Sequence, residues 1–119
     1  MSDKTKENLW VEVAPLSDLS DVAIGEVLSI DVEENNGVNH SIALIRLVEQ
    51  EWSALENVCT HDNGPLADGI VNLTECSVEC RRHGARFHMK TGEVISMPAI
   101  HPIRTYVLKV ESGILYIQL

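Results

Sequence analysis

Ser77-Val78-Glu79-Cys80-Arg81-Arg82-His83-Gly84-Ala85-Arg86-Phe87-His88-Met89-Lys90-Thr91-Gly92-Glu93-Val94-Ile95-Ser96 alternates short β-like runs with turn residues, and it carries a thiol and an imidazole between two of those runs. Residues 77–81 read as a short strand. Residues 85–90 and 93–96 read as a hairpin closed at Thr91-Gly92. The same rhythm continues outward. Towards the N-terminus, Trp10-Val11-Glu12-Val13 is β-like and is expected to end at Pro15. Residues 26–32 alternate, and Asn35-Asn36-Gly37 signals a turn. Residues 41–48 are rich in Ile, Leu and Val, and residues 52–58 resume after Glu49-Gln50-Glu51, which predicts a hairpin. A loop holding Gly64, Pro65, Asp68 and Gly69 follows. Towards the C-terminus, Pro98 and Pro102 bracket a loop. Residues 106–110 and 114–119 form a last hairpin around Glu111-Ser112-Gly113. Residues 16–24 have room for a helical turn, but no long amphipathic pattern occurs. Short strands at this spacing predict an all-β antiparallel sandwich or small barrel.

The chain has 119 residues, 45% of them hydrophobic and 23% charged, which fits one globular domain over residues 1–119. That length excludes an α/β barrel. Nine Lys and Arg against 18 Asp and Glu give a formal charge of −9, which makes a phosphate backbone a poor partner. No apolar run approaches the ~20 residues of a membrane helix. Residues 1–8 are polar and lack the apolar core of an export signal, and the three cysteines, Cys59, Cys76 and Cys80, are an odd number. Both features lean towards a reducing, cytoplasmic compartment.

Cys59-Thr60-His61 and Cys80-Arg81-Arg82-His83 each pair one thiolate with one imidazole beside a turn. Three readings compete. The four side chains are scattered, or they form a structural zinc site, or they hold a 2Fe-2S cluster with one iron on two Cys and the other on two His. Zinc sites favour Cys-x(2–4)-Cys and His-x(3–5)-His spacings. Mixed boxes suit an asymmetric binuclear cluster better, because each loop must reach both irons.

With 18 residues between His61 and Cys80, the boxes resemble the Rieske motif Cys-x-His … Cys-x-x-His. Gly64-Pro65-Leu66, Gly84-Ala85-Arg86-Phe87, Thr91-Gly92 and Pro98-Ala99 are similar to that family's loops, and the likeness runs from about Leu9 to the C-terminus. In size the chain resembles the small ferredoxin components of bacterial aromatic-ring dioxygenase systems. The resemblance implies a Rieske-like sandwich whose cluster-binding part, roughly residues 57–100, is built by two loops. It implies one 2Fe-2S cluster, with Cys59 and Cys80 on one iron and His61 and His83 on the other. It further implies a one-electron carrier rather than an enzyme, taking electrons from a flavoprotein ferredoxin reductase and delivering them to a terminal non-heme iron oxygenase. The small subunit of a nitrite reductase-like enzyme and a zinc-binding interaction module are the alternatives.

The chain also departs from the high-potential Rieske proteins. The positions of their extra loop cysteines correspond to Gly64 and Arg82, so no bracing disulfide can form. Their Ser and Tyr hydroxyl donors correspond to Ala85 and Phe87. Without those donors the potential is expected near the low end of the Rieske range, roughly −150 mV. Arg81, Arg82, Arg86 and Lys90 either offset the charge of the reduced state or form an ordinary solvated face. Cys76 shares strand parity with Cys80 and is expected to face inward as a small apolar group. His40, His88 and His101 read as exposed or hydrogen-bonded histidines, and Asp62 and Asp68 as turn formers.

Overall fold

The computed structural model describes residues 10–33, 37–48, 51–58, 66, 69–80, 84–97 and 101–119. β1 (Trp10–Pro15) leads into a 3-10 turn at Leu16–Leu19, which supplies the helical turn expected there. β2 (Val27–Glu33), β3 (Asn39–Val48) and β4 (Glu51–Glu56) are joined in an antiparallel meander. β5 (Ile70–Asn72), β6 (Ser77–Glu79), β7 (Arg86–His88) and β8 (Val94–Ser96) make a second meander of short strands. β9 (Thr105–Tyr106), β10 (Leu108–Glu111) and β11 (Ile114–Gln118) complete the chain.

Three antiparallel sheets result, with strand orders β1-β11-β10, β2-β3-β4-β9 and β5-β6-β7-β8. The all-β expectation is borne out. β3 explains why the first two sheets stack. Its run Ile42-Ala43-Leu44-Ile45 is fully buried on both faces, so one face alone cannot account for its packing. Ile42 and Leu44 join Val32, Ala54, Leu115 and Ile117 in a core between the first two sheets. Ile45 joins Leu55, Leu66, Val78, Cys80, Phe87 and Met89 in another core, beneath the third sheet. Alternate residues of one strand therefore serve different cores, and this strand ties the short-stranded sheet to the rest of the molecule.

β1 does end at Pro15, an edge position where the missing N–H costs no ladder bond. Several sequence expectations need correction. β4 stops at Glu56 and β6 at Glu79. β5 lies where only a loop was expected. The single strand expected over residues 106–110 is broken at Val107. β9 pairs with β4 and β10 with β11, so the chain changes sheets there. Cys76 faces the second core but not by strand parity. It sits in the turn before β6 with φ +60, and packing rather than alternation places it. Asn35 and Asn36 of the expected turn at Asn35-Asn36-Gly37 lie outside the described residues, although β2 and β3 pair as that turn requires.

Candidate functional site

Of the four box residues, Cys80 is described, while Cys59, His61 and His83 lie outside the described residues. So do Asp62, Gly64, Asp68, Arg81, Arg82, Pro98 and Ala99. What the structure shows is how both loops are anchored.

The first loop is closed by Asn57. Its side-chain oxygen accepts the Leu66 N–H at 2.8 Å, which joins the residues on either side of the box. The Asn57 N–H donates to the Ser41 carbonyl at 3.0 Å, and its amide nitrogen donates to Ser29 Oγ and Ser41 Oγ, each at 3.2 Å. One side chain thus fastens the loop to β2 and β3. Leu66 itself is fully buried.

The second loop is closed by its own backbone. The Cys80 N–H donates to the Ala85 carbonyl at 2.7 Å, and the Gly84 N–H returns to the Cys80 carbonyl at 2.9 Å. Gly84 has φ +78, a conformation that side chains beyond glycine rarely adopt, and it allows the chain to turn back into β7. Cys80 is 1% exposed and lies in the same apolar cluster as Leu66, Ala85 and Phe87. Its backbone donor and acceptor are both engaged, so its sulfur is the group left to bind a partner. Leu66 and Cys80 share that cluster, so the two loops spring from one place in the molecule. A donor set of two thiolates and two imidazoles on such paired loops fits an asymmetric binuclear cluster.

Among the described residues, no three His, Cys, Asp or Glu side chains converge as a metal site, so Cys76, His88 and His101 make no rival centre there. His88 instead caps the Thr91-Gly92 turn: its Nδ1 accepts the backbone N–H groups of Lys90 at 3.1 Å and Thr91 at 3.3 Å. His40 lies half-buried with its ring nitrogen 3.4 Å from the Tyr106 hydroxyl.

Arg86 and Lys90 are already neutralised. Arg86 pairs with Glu75 at 2.8 Å, and Lys90 with Glu51 at 2.9 Å. The Ser77 hydroxyl above all, with the charge and hydrogen bond of the Arg86 guanidinium, holds the Glu75 carboxyl below the usual range against the opposing effect of desolvation. The hydrogen bond and charge of Glu51 push the Lys90 ammonium up. Of the four basic residues near the second box, the two described ones are held in ion pairs. Sequence reasoning missed Asn57, Glu75 and Ser96 as anchors, because their partners lie 9 to 28 residues away along the chain.

A family model described as the Rieske [2Fe-2S] domain matches residues 9–107. The ferredoxin component of the naphthalene 1,2-dioxygenase system of Pseudomonas putida is 35% identical over 103 residues, covering 87% of this chain and 88% of that protein. The 3-phenylpropionate/cinnamic acid dioxygenase ferredoxin subunit of Escherichia coli (strain K12) is 36% identical over 101 residues, covering 85% and 88%. Among solved structures, a complex of reduced oxygenase and oxidized ferredoxin in carbazole 1,9a-dioxygenase contains a chain matched with TM-score 0.72 and 26% identity, over 92% of this chain and 93% of that one.

Proposed function

Because the chain belongs to the Rieske [2Fe-2S] domain family, we propose that Cys59 and Cys80 bind one iron of its cluster and that His61 and His83 bind the other. The cluster supplies a one-electron acceptor and donor. The protein is accordingly an electron carrier of the dioxygenase ferredoxin type, like its relatives, and not a catalytic subunit. A terminal oxygenase is its electron acceptor, a reading supported by the oxygenase–ferredoxin complex formed by a similar chain. A flavoprotein reductase is its electron donor, and the whole exchange takes place in the cytoplasm. Residues 1–119 act as one domain, with residues 57–100 carrying the cluster. The core that β3 and β4 share with β6 and β7 supports this.

The observation that carries the ligand assignment is the buried Cys80 thiol, held by its backbone beside the anchor of the first loop. Its burial keeps water from the sulfur, while the Asn57 bond and the Cys80–Ala85 bond keep both loops in place before an electron arrives. Ala85 and Phe87 are fully buried and bring no hydroxyl, which fits a potential near the low end of the Rieske range, roughly −150 mV.

Anaerobic purification tests the assignment through iron and sulfide content together with optical and EPR spectra. Two irons and two sulfides per chain, and a rhombic signal of low average g on reduction, are expected. A loaded His83→Cys variant should show a lower potential, since thiolate replaces imidazole. Full cluster content in Cys80→Ala, or stoichiometric zinc without colour, would overturn the assignment.

A further inference from the structure

A line of hydrogen bonds crosses β6, β7 and β8 and ends on the backbone of the second box. Ser77 Oγ donates to Glu75 Oε1 at 2.7 Å. One guanidinium nitrogen of Arg86 donates to both Glu75 oxygens, at 2.8 and 2.9 Å. Arg86 Nε donates to Ser96 Oγ at 3.2 Å, and Ser96 Oγ donates to the Gly84 carbonyl at 3.2 Å. The roles run one way. The Ser96 hydroxyl accepts from a cation and has a single proton to give, and the Gly84 carbonyl takes it. Bonds in such a series polarise one another.

The strand pairing is shaped to permit this. Phe87 stands opposite Val94, yet Arg86 stands opposite Ser96, so the ladder is irregular between Arg86 and Phe87. An irregularity of this kind re-aims a side chain, and here it puts the Ser96 hydroxyl beside the guanidinium. At the far end, the Gly84 carbonyl belongs to the peptide that joins Gly84 to Ala85. The N–H of Gly84 and the carbonyl of Ala85 both bond to the backbone of Cys80. Fixing that peptide fixes Cys80 on both sides.

We propose that Glu75, Arg86 and Ser96 are positioning residues which hold the Gly84–Ala85 peptide, and through it Cys80, and so set the reduction potential of the bound cluster. This rests on the reading of Cys80 as a ligand. An exposed ion pair by itself stabilises little. The pair of Arg86 and Glu75 acts instead by orienting the Ser96 hydroxyl, which bonds the Gly84 carbonyl.

The test uses the cluster-loaded protein and Ser96→Ala, which changes no charge. The midpoint potential and the g values of the reduced state should both move. A chelator should strip iron about fivefold faster, the factor that corresponds to one hydrogen bond of ~1 kcal/mol. Ser96→Thr should restore all three. Wild-type potential and g values in fully loaded Ser96→Ala overturn the proposal. Opposite shifts in Arg86→Met and Glu75→Gln with no shift in Ser96→Ala also overturn it, since the pair would then act by charge across space. If Ser96→Ala does not load, Arg86→Lys, which keeps the charge and loses the fork, is read the same way: a moved potential upholds the proposal and an unmoved one overturns it. Failure of the ligand reading shows in a different variant, as a Cys80→Ala protein that retains its cluster.

Discussion

A Cβ on Gly92 would lie 2.0 Å from the Ile103 carbonyl oxygen, and the residue already holds φ +77. The Ile103 N–H in turn donates to the Gly92 carbonyl at 2.8 Å, so the tip of the β7–β8 hairpin lies flat against the chain entering β9. Gly92→Ala must break that contact and strain the backbone at once, and we expect a loss of about 3 kcal/mol or more, read as a fall in melting temperature. Thr91-Gly92 is legible in sequence as a turn, but the need for close approach is not, because Ile103 is remote along the chain. The same limit applies to Arg86, whose basic character is plain and whose partner Glu75 is not. The Glu75 carboxyl, held by the Ser77 hydroxyl first and by Arg86 after it, has a pH signature. The carboxyl of Glu75 is depressed in the folded state, so its contribution to stability is complete above the ordinary carboxylate range and disappears as the pH falls through the depressed value. Glu75→Gln should therefore lower stability at neutral pH and flatten the acid limb of a stability–pH curve, and an acid limb identical to wild type would contradict the hold of Ser77 and Arg86 on this carboxylate.

Hairpins with clear turn chemistry are readable at the scale of elements; the places where strands change partners are not. β2–β3 and β10–β11 follow from alternation around Asn35-Asn36-Gly37 and Ser112-Gly113, and both pairs form. β5 has three residues and reaches β6 through Leu73-Thr74-Glu75-Cys76, a turn with neither glycine nor proline, in which Cys76 adopts positive φ. Its one local sign is Asn72, whose side-chain oxygen accepts the Glu75 N–H at 3.0 Å. The break at Val107 is silent, since an apolar run reads alike whether it stays in one sheet or crosses to another. There the Val107 carbonyl accepts the Gln118 N–H at 2.9 Å while β9 has already paired with β4. A buried serine links the sheets elsewhere: Ser53 of β4 donates its hydroxyl to the Met89 carbonyl just beyond β7. Ser53→Ala leaves that buried carbonyl without its donor and should cost about 1–3 kcal/mol. For a chain of this size that is a drop of several degrees in melting temperature, about 4–8 °C per kcal/mol.

Across the whole molecule, acidic side chains outnumber basic ones, 18 to 9. Among the described residues, every Lys and Arg is engaged. Arg46 donates to the Val22 carbonyl at 2.7 Å, Arg104 lies over the Tyr106 ring, Lys109 meets Glu111, and Arg86 and Lys90 hold their carboxylates. With a net charge of −9, the field reaching a partner is acidic. Association with an oxygenase should be steered by complementary positive charge and should slow about tenfold between low and physiological salt, measured by stopped-flow reduction. A rate indifferent to salt would argue against steering. The sheet that packs on the other core offers a practical use. Trp10 stands opposite Gln118 where β1 pairs with β11, and that sheet packs on the core without Cys80. A short peptide bridge across those two positions, with the backbone reopened at the exposed Ser112-Gly113 bend, would yield a circularly permuted protein. An electrode tether or fused redox enzyme attached beside Gln118 would likewise hang from a sheet whose core does not include Cys80.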